Sequence, residues 1–146
     1  MLSQYLKGNI KFIERVSSWE KSIKLAAEPL VKNKYIKEKY IDSMINNVHE
    51  YGSYIVLVPE IAMPHAKDAE NVKKTGMSFL KLENSVLYPE EKEVKIIFIL
   101  AAKDNSEHLE LIADLSSILA DEDVLKQFKN VENEEELIKL IESIES

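Results

Sequence analysis

Cysteine is absent from the chain, which excludes disulfides and thiolate chemistry and leaves only histidine and carboxylate as strong metal ligands. Glycine occurs three times and proline four times in 146 residues, with no low-complexity tract or repeat, so no linker is marked and one domain over residues 1–146 is expected. Positive charge is in deficit: 19 Lys plus Arg stand against 26 Asp plus Glu, a formal net charge of -7. That balance opposes phosphate backbones and anionic lipid surfaces, so nucleic acid is not expected as a partner. Long apolar runs are missing too. The start, Met1 to Lys7, has no signal-peptide core, and no segment is long enough to span a bilayer, so a cytoplasmic location without membrane insertion is expected.

What the chain does have is apolar periodicity. The run Ile55 to Val58, between Gly52 and Pro59, reads as an interior strand that Pro59 ends. Ile10 to Val16 is a first strand candidate; Gly76 to Leu82 and Val94 to Ala101 are others, the last almost wholly apolar and so covered on both faces. Ser17 with Glu20 at capping-box spacing predicts a helix through Leu30, and Ile36 to Val48 fall at helical spacing within a second helix, Tyr35 to Glu50. Asn105 or Ser106 is expected to cap a helix to Leu119, Asp121 a short one to Phe128, and Asn133 with Glu136 the last. Apolar strands between amphipathic helices give an α/β fold with helices on both sides of a sheet.

Three histidines invite separate readings. His49 sits at a predicted helix end, where an imidazolium suits the carbonyl dipole or is simply a half-exposed residue. His65 follows Pro64 in a loop that proline keeps extended; such a loop suits a functional group, and equally a satisfied structural histidine. His108 lies in the first turn of a predicted helix, which favours anions and a neutral imidazole, or else a surface position between acidic neighbours. Together His65 and His108 make a plausible phosphate site without metal: an imidazole is largely neutral and nucleophilic near pH 7, provided its other ring nitrogen is pinned. A metal-dependent hydrolase using His49, His65 and His108 has no supporting ligand spacing.

The segment Gly52 to Ala66, the pair Thr75-Gly76, the strand ending Ala101-Ala102, and Glu107-His108-Leu109 followed by Leu115 to Leu119 resemble enzyme IIA of the bacterial phosphotransferase system. The likeness is to the fructose/mannitol superfamily (EIIA type-2), and within it the segment running into Ile61-Ala62-Met63-Pro64-His65-Ala66 is most similar to the ascorbate-type branch. The resemblance implies a single-domain sandwich with a mixed β-sheet flanked by helices on both faces. It implies that His65 takes a phosphoryl group from the histidine phosphocarrier protein and passes it to a cysteine of enzyme IIB, with His108 as the supporting active-site histidine. Enzyme IIB then phosphorylates the sugar that the membrane enzyme IIC admits; no cofactor or metal is implied. The alternative on the same fold is a regulatory phospho-acceptor that signals through protein binding.

Exposed Ile61 and Met63 beside the histidine would form the docking contact, their other reading being packing under the loop. The chain departs from the ascorbate-type pattern at Glu60 for Gly, Ser53 for Pro, and Lys67-Asp68 for Arg-Pro. It also lacks the phosphate-holding arginine of mannitol-type members, since Arg15 lies elsewhere, so Asn46, Asn47, His49 and Lys67 are the candidate replacements.

Overall fold

Side-chain alternation in two neighbouring strands decides the architecture. In a computed structural model, which describes residues 2–145, β3 (Gly76–Tyr88) and β4 (Lys92–Ala101) form an antiparallel hairpin. On β3 and β4, Met77, Phe79, Ile96, Phe98 and Leu100 point into one core, while Leu80, Leu82, Ile97, Ile99 and Ala101 point into the other. Two short strands complete a mixed sheet: β1 (Ile10–Ile13) runs parallel to β3 and β2 (Glu60–Ala62) parallel to β4, in the order β1-β3-β4-β2.

Both faces are apolar and both are covered. Helices α2 (Trp19–Lys32) and α3 (Glu38–Tyr51) close one face through Ile23, Ala26, Leu30, Met44 and Val48. The other is closed by α1 (Leu2–Leu6), α4 (Asn105–Leu119), α5 (Glu122–Asn130) and α6 (Glu134–Glu145). Phe98 anchors that second core, edge-on to Phe79 at 5.1 Å and to Phe128 at 5.7 Å; each such buried ring contributes about 1.5–3 kcal/mol. The α/β class with helices on both faces is therefore the expected one.

Several boundaries differ from expectation. Ile55–Val58 is not a strand: the Val56 N–H turns back to Ser53 O (3.0 Å), and Leu57 is 55% exposed. The strand beside β4 comes after Pro59, because proline offers no ladder donor and sits instead in the tight turn closed by Ile61 N–H to Val58 O, 3.2 Å. Glu60 then enters the strand at φ 70, a left-handed conformation that glycine adopts freely and a side chain does not.

The first strand stops at Ile13 rather than Val16, and β3 runs on to Tyr88, past a register slip between Lys81 and Val86. Helix α3 starts at Glu38, since the Tyr35 carbonyl is taken by Lys73 and Lys74 N–H groups and its ring lies over Gly76, where a Cβ would clash. The caps of α2 and α4 are Ser18 and Asp104, one residue away from Ser17 and from Asn105: Ser18 Oγ accepts from Lys21 N–H and Asp104 Oδ1 from Glu107 N–H. Asp121 caps α5 as expected, and Asn133 and Glu136 exchange bonds at the start of α6. Helix α1, not anticipated, is held by Glu145 Oε2, which accepts from Leu2 N–H at 2.8 Å.

Candidate functional site

His65 is carried three residues beyond the end of β2, where no strand ladder holds the chain, and single hydrogen bonds do that work. Met63 N–H donates to Ile55 O (2.9 Å), Leu100 N–H to Pro64 O (3.1 Å), and Ala66 N–H to Tyr40 Oη (3.0 Å). The ring itself is pinned by Nδ1, 2.6 Å from the Met63 carbonyl oxygen. A carbonyl can only accept, so this contact assigns the proton to Nδ1 and leaves the lone pair on Nε2. Burial pushes the imidazole pKa down, against the opposing pull of the Met63 bond. His65 is thus a neutral imidazole with its outer nitrogen uncommitted.

His108 meets it from the first turn of α4. The two rings stand 5.3 Å apart between centroids at 63°, and the His108 pKa is lowered by burial, then by His65 and Lys67. On its other side His65 faces the edge of Tyr54 at 5.9 Å, itself edge-on to Tyr51 at 6.3 Å. Burial raises the Tyr54 pKa, partly offset by the Asn47 side chain. These groups line a cleft of about 640 Å³ that also takes in Ser43, Asn46, Asn47, Lys67 and Asp68. Asp68 is already bonded, to Ser43 Oγ at 2.6 Å and Asn71 Nδ2 at 2.8 Å. Lys67 has no ion pair among the described residues. A desolvated nucleophilic nitrogen, a second imidazole and a spare cation suit transfer of an anionic group.

Of the expected site residues, His65 and His108 come together and Asn46, Asn47 and Lys67 join them. His49 does not: its ring packs on Trp19 at 5.0 Å and its Nε2 lies 3.6 Å from Glu20, so it cannot replace the arginine or share a metal with the other two. Arg15 lies against Glu14. Among the described residues no group of three His, Asp or Glu could hold a metal ion, and no helix is long and apolar enough to cross a membrane.

Of the two readings of Ile61 and Met63, packing under the loop holds and the docking contact does not. Ile61 and Met63 are 0% and 1% exposed, both part of the core under the loop, because β2 lies against apolar β4. The large apolar side chains exposed near the histidines in sequence are Tyr51, Tyr54, Leu57 and Leu109. Tyr40 was legible only indirectly: a tyrosine on the buried face of a helix must find a partner for its hydroxyl.

The family described as "Phosphoenolpyruvate-dependent sugar phosphotransferase system, EIIA 2" matches residues 4–144. The chain is 33% identical over 142 residues to the mannitol-specific cryptic phosphotransferase enzyme IIA component of Escherichia coli K12, covering 96% of this chain and 97% of that one. It is 27% identical over 137 residues to the ascorbate-specific PTS system EIIA component of the same organism, covering 92% and 89%. The solved complex of enzyme IIAMTL and phosphorylated enzyme IIBMTL from Escherichia coli superimposes with a TM-score of 0.81 at 26% identity, covering 93% of this chain and 95% of that one.

Proposed function

The chain belongs to the phosphoenolpyruvate-dependent sugar phosphotransferase system EIIA 2 family, and we propose on that premise that His65 is its phosphoryl carrier, through Nε2. The carrying observation is the 2.6 Å contact of Nδ1 with the Met63 carbonyl, which leaves Nε2 as the free base. The donor is the phosphohistidine of the histidine phosphocarrier protein. The Nε2 lone pair attacks phosphorus and the Nε2–P bond forms as the donor's N–P bond breaks, returning that electron pair to the donor imidazole. Nδ1 keeps its proton throughout, so the phosphorylated ring carries positive charge, which the Met63 carbonyl oxygen offsets.

Catalysis in such a step is mostly positioning and charge stabilisation around the three equatorial oxygens. His108 serves as one donor to them, and Lys67, Asn46 and Asn47 take the place of the absent arginine. In the second step a cysteine thiolate of enzyme IIB attacks phosphorus; the S–P bond forms and the pair in the Nε2–P bond returns to His65. The named IIA–IIB complex among the structural relatives supports this partner. The exposed Tyr51 and Tyr54, which line the cleft, supply the apolar part of a transient docking face. Enzyme IIC is served indirectly, through enzyme IIB. The local Gly52 to Ala66 pattern favours an ascorbate-type sugar, while the identity to mannitol-specific relatives supports a mannitol-type one.

Label passed from the phosphorylated carrier to the chain is expected to be acid-labile, to be lost completely in His65→Ala, and to move on to an enzyme IIB cysteine. Normal labelling of His65→Ala would refute this assignment. Presenting the labelled protein to ascorbate-type and mannitol-type enzyme IIB separates the two sugar classes.

A further inference from the structure

The loop that carries His65 lies outside the sheet, yet one buried side chain from another element reaches it. Tyr40, on α3 and fully buried, places its hydroxyl 2.7 Å from Leu100 O, 3.0 Å from Ala66 N and 3.2 Å from Ala66 O. A phenol has one proton to donate. The shorter distance assigns it to Leu100 O, while the Ala66 N–H donates to Tyr40 Oη. The same Leu100 residue donates its N–H to Pro64 O at 3.1 Å. The backbone on both sides of His65 is therefore tied to one residue of β4, directly through Pro64 and through the Tyr40 hydroxyl at Ala66.

We propose that Tyr40 is a positioning residue for phosphoryl transfer: its hydroxyl clamps Ala66 to β4 and so fixes where Nε2 of His65 points. The proposal rests on the phosphotransfer reading above. Three observations support it. With β2 ending at Ala62, no ladder bond holds residues 63–66, so the loop depends on these single contacts. Three residues along the same helix, Ser43 Oγ bonds Asp68, so α3 grips the loop at a second point on the cleft side. Burial also pushes the Tyr40 pKa far up, which keeps the phenol protonated and able to donate across the working pH range.

Tyr40→Phe keeps the ring and removes only the clamp. In the full chain it is expected to lower kcat for phosphoryl acceptance by about ten- to a hundredfold, the range for a small misplacement of a reacting group, with KM for the phosphocarrier unchanged. Nitrogen NMR of His65 is expected to show the single Nδ1–H form in the wild type and a mixture of both forms in the variant. An unchanged kcat would overturn the proposal, and so would a lowered kcat with unaltered His65 nitrogens, which marks a merely structural role. A measurement that needs no variant stands beside it: in the wild-type chain the Ala66 amide should exchange as slowly as that of Leu100, and exchange at the rate of a free peptide would overturn the clamp. If the wild type takes no label at all, the phosphotransfer reading fails instead, while the nitrogen and exchange measurements still decide what Tyr40 holds.

Discussion

Two hollows of nearly equal size open on the molecule, about 640 Å³ around His65 and about 680 Å³ beside Lys81 and Lys129, and volume does not distinguish them. The state of their polar groups does. In the second hollow Lys129 meets Glu60 at 3.0 Å, and the Lys81 ammonium donates to the Lys129 and Val131 carbonyls at the end of α5. Those groups close a helix end and a strand start. In the first, Nε2 of His65 is uncommitted, His108 stands beside it, and Lys67 has no ion pair among the described residues. Lys95 in the second hollow also lacks an ion pair among the described residues, so a spare cation does not separate the two; the pinned imidazole with a free nitrogen beside a second imidazole does.

Truncating side chains in each of the two hollows tests that contrast. His108→Ala should slow phosphoryl acceptance by about a hundredfold, the usual loss for one donor on a developing charge, whereas Lys129→Met in the other hollow should leave the rate unchanged. Equal effects in a rapid-quench assay would erase the contrast. Lys67→Met should follow with about a tenfold loss, in keeping with one charge-assisted hydrogen bond of about 1.5 kcal/mol, and with a weaker dependence of the rate on salt. A full-rate Lys67→Met would move the phosphate-holding role to Asn46 and Asn47.

Acid gives a smaller and graded effect. The His65 and His108 pKa values both lie below the ordinary 6.5. Acceptance should therefore be flat above about pH 6.5 and fall only at lower pH, as His65 takes up a proton. The stability sign follows from the same shifts. The unfolded chain binds these protons at higher pH than the folded one, so folding stability from the histidines is full above the unfolded pKa and declines as pH falls through it. Thermal melts of wild type and His65→Gln from pH 8 to 5 should diverge only below about pH 6.5; parallel curves would place His65 in a less buried setting. The smallest effect belongs to the structural hollow: Glu60→Gly relieves the φ of 70 but loses the half-exposed Lys129 pair. It should raise stability by less than about 1 kcal/mol in urea titrations, with transfer unchanged.

The sequence was most legible where a pattern is long and local. The apolar run of β4 and the capping pairs Asp121 and Asn133–Glu136 needed no tertiary knowledge. It was least legible from Gly52 to Met63, where apolarity suggested a strand at Ile55–Val58 and the chain instead turns, because the place beside β4 goes to Glu60–Ala62. For Ile61 and Met63 the sequence left docking and packing under the loop both open, and only the position of the segment against β4 decides for packing. At the site, the two histidines stood out as residue types. The Tyr40 contacts and the loss of His49 to Trp19 depend on how α3 meets β4 and α2, which no local pattern encodes.

On the proposed reading the Met63 carbonyl dictates which nitrogen carries phosphate. Phosphorylating nitrogen-labelled protein with the phosphocarrier and observing the histidine nitrogens tests this: phosphorus is expected on Nε2 of His65, with Nδ1 still protonated. Phosphorus on Nδ1, or on His108, would contradict it.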